Sequence, residues 1–368
     1  MEEWYEIDAA DLPDSPSLVI YRDHVRKNVE LLINMIDSVD RLRPHVKTCK
    51  SIDAVMMMLA AGIKKFKCAT IAEAEMLAMA SVRDILIAYQ PVGPKFLRLI
   101  ELIKKFPNSK FSCLVDNRDT AAVMSAAAMA NDVKVNVYLD LNVGMNRTGI
   151  VPGREAFDLY MNCFHQQGVE PVGLHVYDGH IHEASLEERT RRCDAAFESV
   201  FMLQQMLVHE GRLPVIVAGG SPTFPIHARR SGVECSPGTF IYWDKGYKDK
   251  LTEQPFLPAA LVLTRVISLP SPGKICVDLG HKSVAAENDI SKRVYFLNAP
   301  GLRPVSQSEE HLVLEAGDDH SFKVGDVLYG LPYHICPTVA LHESAAIVSA
   351  HDVIGTWKTT SRDRRLSI

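Results

Sequence analysis

The sequence has no long hydrophobic run, no CxxC pair, no internal repeat and no low-complexity segment. A spanning helix needs about 18 consecutive apolar residues, and none is present. Met1-Glu2-Glu3-Trp4-Tyr5 lacks a basic stretch ahead of an apolar one, so no secretory signal is expected. A net charge of −5 leaves no basic field for nucleic acid or an anionic membrane. Arg362, Arg364 and Arg365 read as a solvated tail. The eight cysteines are scattered, as expected of reduced thiols in a cytoplasmic protein. What remains is a 368-residue chain, 47% apolar and 23% charged, with the balance of a globular enzyme. It is too long for one ordinary core and fits two domains, one of them a large α/β barrel.

Strand-like and helix-like stretches alternate from residue 40 to about residue 245. Strands are expected at Arg43–Thr48, Lys67–Ala69, Ile85–Tyr89, Phe111–Val115, Val133–Leu139, Val172–Tyr177, Val215–Ala218 and around Cys235. Thr70 fits an N-cap with Glu73 in the first turn; Asn117 or Asp119 opens an Ala/Met-rich helix; Glu187–Glu210 is a long amphipathic helix closed by Gly211. Eight βα units predict a TIM-type (β/α)8 barrel over residues 22–248, with its chemistry at the carboxyl ends of the strands. From residue 249 to 368 short strands split by Pro and Gly predict a C-terminal antiparallel β domain, which the stretch 15–21 is expected to join.

Chemistry-bearing residues fall at the predicted strand ends. In Arg43-Pro44-His45-Val46-Lys47-Thr48 a buried strand ends in a lysine. Desolvation lowers an ammonium pKa, and a neutral amine forms a Schiff base with an aldehyde. Lys47 therefore fits either an anchor for pyridoxal 5′-phosphate or a lysine snorkelling at a strand end. Gly219-Gly220-Ser221 and Pro237-Gly238-Thr239 follow the last two barrel strands, where this fold commonly binds phosphate; each is also compatible with an ordinary tight turn. Gly144 and Gly149 flank Met145-Asn146-Arg147-Thr148, a bend that projects Arg147 either to solvent or toward an anionic oxygen. In His334-Ile335-Cys336 an extended chain puts imidazole and thiol on one side, a two-ligand metal pattern or a packed His beside a buried Cys. His175, His180 and His182 form a second, weaker metal cluster.

Taken together, Arg-Pro-His-Val-Lys-Thr at 43–48, Gln90, Met-Asn-Arg-Thr-Gly at 145–149, the Gly-Gly-Ser and Pro-Gly-Thr turns and the late His-x-Cys resemble the D-threonine aldolase/D-serine dehydratase family, over nearly the whole chain. The resemblance implies the alanine racemase fold and a pyridoxal phosphate lyase acting on small D-3-hydroxy amino acids. It implies Lys47 as cofactor anchor and proton-handling base, and Arg147 on the cofactor phenolate. Tyr177 and Gln90 would lie near the ring, Gly220, Ser221, Gly238 and Thr239 at the phosphate. His334 and Cys336 would hold a divalent metal (zinc, manganese or magnesium). A homodimer is implied as well, with no nucleic-acid or membrane partner. The family contains aldolases, which give glycine and an aldehyde, and dehydratases, which give a 2-oxo acid; the overall likeness favours the aldolase, the cysteine of His-x-Cys the dehydratase. Ser236 stands where related racemases carry arginine, which weighs against a racemase. A non-catalytic cofactor carrier would need no metal pair.

Overall fold

The computed structural model describes residues 3–368. They form two compact units. One comprises Leu32–Lys47, Val55–Gly238 and Asp363–Ile368; the other comprises the residues up to Leu31, Thr48–Ala54 and Thr239–Arg362. The first strand in the chain, Ser17–Tyr21 (β1), belongs to the second unit.

The first unit is the barrel. Its strands are Lys65–Cys68 (β2), Asp84–Ile87 (β3), Lys110–Val115 (β4), Val135–Leu141 (β5), Val169–Val176 (β6), Val215–Ala218 (β7) and Val233–Cys235 (β8), paired in sequence order and parallel throughout. Helices follow β2 through β7, the first at Ile71–Met79 and the longest at Leu186–His209. Their starts are chemically set. The Thr70 hydroxyl accepts from the Glu73 N–H at 3.1 Å and the Asn117 side chain from the Thr120 N–H at 2.8 Å. The long helix is capped by Ser185.

The expected strand at Arg43–Thr48 is not a regular strand. Pro44 has no N–H to donate and interrupts the ladder. Its first part is bonded on both sides, with Arg43 N–H donating to the Cys235 carbonyl at 2.9 Å and Lys67 N–H to the Pro44 carbonyl at 2.9 Å, and from Val46 the chain turns, so Lys47 sits in a turn. It thus closes the gap between β2 and β8, the eighth member of the barrel in position though not in regular pairing. The barrel interior is polar at the amino-terminal ends of its strands. Arg43, 1% exposed, donates to Asp84 at 2.6 Å and Glu234 at 2.7 Å, and Lys65 also donates to Glu234.

The second unit is built on a nine-stranded sheet. It adds Ala260–Ser271 (β9), Lys274–Val277 (β10), Val294–Phe296 (β11), Arg303–Gln307 (β12), Leu312–Glu315 (β13), Val327–Pro332 (β14), Ser344–Ser349 (β15) and Asp352–Lys358 (β16). The predicted strand before the first helix does join it. β1 runs antiparallel to β9 but parallel to β15, so the domain is mostly antiparallel. Val262, Ile275, Val277, Leu312, Leu314 and Leu328 form one core of this unit. β12 and β16 are largely exposed or half-buried, which weakens their apolar signal, whereas half of β15 is buried. His334-Ile335-Cys336 is not extended either. The short helix Ile335–Leu341 starts there, with His334 as its N-cap and Cys336 inside its first turn. No helix among the described residues is long and apolar enough to cross a membrane.

Candidate active site

A cavity of about 510 Å³ opens in the barrel unit, and four of the expected residues line it: Lys47, Gln90, Arg147 and Tyr177. The volume suits a cofactor-sized ligand. Tyr177, just past β6, is the centre of the arrangement. The Arg147 guanidinium carbon lies 4.9 Å from its ring centroid and the Lys47 amine 5.9 Å. These are cation–π distances. Gln90 is held in place because its side-chain oxygen accepts from the Asp116 N–H at 3.0 Å.

The bend that carries Arg147 is demanded by its glycines. Gly149 has φ +97°, and a Cβ there would come within 2.7 Å of the Asn142 backbone nitrogen. Its N–H donates to Asp116 at 3.1 Å, which ties the loop after β5 to the end of β4. At Gly220, after β7, a Cβ would stand 3.3 Å from the Tyr177 ring, so the ring packs closely on this backbone. The two expected phosphate turns meet, as the Gly238 N–H donates to the Ser221 hydroxyl at 3.3 Å. Thr239 opens the second unit, with its hydroxyl 3.7 Å from the Cys336 sulphur.

Below Tyr177 lies a row that the sequence did not flag as a unit. His175 Nδ1 is 2.8 Å from the Asp140 carboxylate, and His175 Nε2 is 3.4 Å from the Lys67 amine. Burial opposes ionisation of Asp140, but the His175 and Thr148 hydrogen bonds and the Arg147 charge hold its carboxyl below the usual range. Burial, then the Lys67 charge, holds the His175 imidazole below its ordinary value. His175 is therefore committed to this row. The metal cluster expected of His175, His180 and His182 does not form among the described residues.

Asp178, next in the chain after Tyr177, stands in a motif-like segment, Tyr177-Asp178-Gly179-His180, to which the sequence assigns it no role. It is 2% exposed, accepts from the Thr223 hydroxyl at 2.8 Å and lies 2.8 Å from His227 Nε2. Cys193 sits 3.5 Å away, on the long helix. Aspartate, cysteine and histidine have metal-ligating atoms within 4.8 Å of one another. Their surroundings argue against a dication. The Arg230 guanidinium lies 2.6 Å from His227 Nδ1 and 3.4 Å from the Cys193 sulphur, and burial pushes the Cys193 thiol up to about 12. The cluster instead braces the phosphate turn. The Gly220 N–H donates to Thr223 at 3.3 Å, and a Cβ on Gly219 would strike His227 at 2.7 Å. Only a long-range contact joins these residues, so no local pattern announces them.

In the second unit His334 and Cys336 do come together, despite the helix. His334 Nδ1 is hydrogen-bonded to Glu287. The Cys336 sulphur lies 3.0 Å from the Thr48 hydroxyl. Burial opposes the imidazolium of His334, but Cys336, Glu287 and Asp244 together raise it to about 9. Asp244 is buried and accepts from the Ile335 N–H at 3.1 Å; burial pushes its carboxyl up to about 6. Nitrogen, sulphur and carboxylate are donor types that suit zinc, but among the described residues these side chains do not converge as a three-ligand cluster.

A parallel barrel with an amine-bearing pocket at the carboxyl ends of its strands, paired in sequence with a β domain carrying a His–Cys site, defines a class of enzyme fold. Comparison identifies it. The alanine racemase N-terminal domain family matches residues 20–245, and the chain belongs to that family. Residues 259–348 match a second family, described as "Putative serine dehydratase domain". The D-threonine aldolase of Arthrobacter sp is 28% identical over 356 residues, covering 95% of this chain and 93% of that one. The D-threo-3-hydroxyaspartate dehydratase of Delftia sp. (strain HT23) is 24% identical over 375 residues, covering 94% and 97%. The crystal structure of D-threonine aldolase from Filomicrobium marinum superposes with a TM-score of 0.87 at 26% identity, covering 95% of both chains. The expected family, fold and lyase class therefore stand.

Proposed function

We propose that this chain is a pyridoxal phosphate- and metal-dependent lyase that cleaves D-3-hydroxy amino acids of the D-threonine kind to glycine and an aldehyde. The observation that carries the reading is the pocket in which Lys47 and Arg147 both approach the Tyr177 ring. When bound, the cofactor supplies an electron sink and the cation Lewis acidity. Lys47 would anchor the cofactor and, once the Cα–Cβ bond has broken, would deliver to the α-carbon a proton matching the one the 3-hydroxyl gives up as the aldehyde forms. Arg147 keeps the phenolate oxygen charged, and Tyr177 and Gln90 fix the ring. Gly220, Ser221, Gly238 and Thr239 hold the phosphate; in support, the two turns lie together, joined by the Gly238 N–H to the Ser221 hydroxyl at 3.3 Å. His334 and Cys336 hold the zinc, manganese or magnesium ion and so orient the 3-hydroxyl.

A dehydratase is the second reading, favoured by Cys336 in the second ligand position and by the likeness to the Delftia enzyme. It uses the same residues, with Lys47 removing the α-proton. Incubation of the cofactor- and metal-loaded protein with D-threonine separates the two. Glycine with acetaldehyde is expected; a 2-oxo acid with ammonia selects the dehydratase, and neither product overturns the lyase reading. Borohydride reduction and peptide mapping should place the cofactor on Lys47. A cytoplasmic homodimer completes the proposal, the dimer being checked by light scattering.

A further inference from the structure

The basic tail expected to be solvated is held to the barrel unit from Asp363 to Ile368. Glu75, buried on the helix Ile71–Met79, accepts from the Ser367 and Ile368 N–H groups at 3.2 and 3.3 Å. Arg98, on the helix Pro94–Lys105, donates to the main-chain oxygens of Arg364 at 2.9 Å and Ile368 at 2.7 Å. The hold uses the Arg364 carbonyl, so it fixes the backbone and leaves this exposed residue at the edge of a second cavity, of about 430 Å³. Lys95, Arg98 and Arg364 line that cavity, and no carboxylate among the described residues does. The acidic residues of the neighbouring helix are engaged elsewhere: Glu73 accepts from the Ala69 N–H at 2.6 Å, and Glu75 holds the tail. In a chain of net charge −5 this is a local excess of cations. Arg98 gives hydrogen bonds to carbonyls, which leave its charge unneutralised, and three like charges around one space repel until an anion enters it.

The same cavity offers apolar walls. Ile71, Ile87 and Pro91 line it together with Tyr89, whose hydroxyl accepts from the Lys95 amine at 3.1 Å. The volume suits an organic molecule better than a bare inorganic ion. Tyr89 and Ala69 also line the pocket of Lys47, so the two cavities share a wall. They share no cation. Lys47, Lys67 and Arg147 approach the Tyr177 ring at 5.9, 5.7 and 4.9 Å in the one, whereas Lys95, Arg98 and Arg364 line the other. We propose that the cavity behind Tyr89 is a binding site for a small organic carboxylate, its apolar body against Tyr89 and Ile87 and its charge between Lys95 and the Arg364 guanidinium, whose planar fork matches a carboxylate. The tail is then part of a site and not a solvated end. The inference does not rest on the pyridoxal reading of Lys47.

The test is calorimetric titration of the full chain with benzoate and with 3-methylbutanoate at low ionic strength, in the presence of pyridoxal phosphate to keep the probes out of the pocket of Lys47. At least one probe should bind saturably at one site per chain. Benzamide, which has the shape of benzoate without its charge, should bind at least about tenfold more weakly. Arg364→Gln keeps the main-chain hold and should weaken carboxylate binding about fivefold; Arg364→Lys, which keeps the charge, should recover part of that loss. Arg365→Gln removes the neighbouring charge, which does not line the cavity, and should leave the affinity unchanged. Failure of both probes to saturate overturns the inference. So does an affinity equal in wild type and Arg364→Gln, an equal loss in Arg365→Gln, or benzamide binding as tightly as benzoate.

Discussion

Two places in this chain gather an imidazole, a thiol and a carboxylate, and they behave as opposites. In the barrel unit Asp178, Cys193 and His227 are all buried and spend their polar atoms on one another, on Thr223 and on Arg230. In the β unit the side chain of His334 is 48% exposed and that of Glu287 46%, and Cys336 is partly exposed. Ligand types alone do not make a metal site. A guanidinium against the donors and internal hydrogen bonding make the first a brace; the second, proposed above as the metal site, is accessible and has its imidazole hydrogen-bonded to a carboxylate.

The largest expected effect tests the brace. Asp178→Ala leaves His227 and the Thr223 hydroxyl buried without their acceptor and should cost about 3–5 kcal/mol in urea unfolding, with metal content unchanged. Cys336→Ala should do the reverse: metal analysis should show the ion lost and D-threonine turnover should fall roughly a hundredfold, while the unfolding midpoint stays near wild type. If the Asp178 variant loses metal and the Cys336 variant keeps it, the two roles are exchanged.

A pH-dependent contrast is expected from Lys67. Its folded-state pKa lies below its unfolded one, so the unfolded chain binds more protons and wild-type apoprotein gains stability as pH rises from about 7 toward 10.5. Lys67→Met removes that dependence. Its stabilisation over wild type should be greater at pH 7 than at pH 9, by up to roughly 1.4 kcal/mol per pH unit, measured by urea unfolding at both. A constant difference contradicts the burial of the charge. The smallest effect is expected for Glu287→Gln, a half-exposed pair whose loss should move the unfolding midpoint by less than about 1 kcal/mol. A large loss would mean that the β-unit site is structural, like the barrel cluster.

Much of the barrel was legible because its signals are local. β4, β6 and β7 read as apolar runs, and Thr70 and Asn117 announce their helices through side chains that reach the next turn. Lys67 was hidden by the same logic. In Lys65-Phe66-Lys67 the alternation suggests lysines facing water, but a closed barrel turns one face of every strand inward, and here that face carries the lysines. His334 and Cys336 were paired for the wrong reason: an extended chain was expected, and a strand-to-helix corner brought them together.

The order of strands, the glycine-bounded bends and the identities of Lys47, Arg147 and the His–Cys pair are properties of the sequence, since each depends on backbone freedom or side-chain chemistry within a few residues. Which charges are buried, which cysteine meets which histidine, and that a second lysine shares the ring of Tyr177 were settled only by the tertiary structure. Desolvation and through-space charge depend on neighbours far apart in the chain: Lys67 and His175 are separated by 108 positions and Asp178 and His227 by 49.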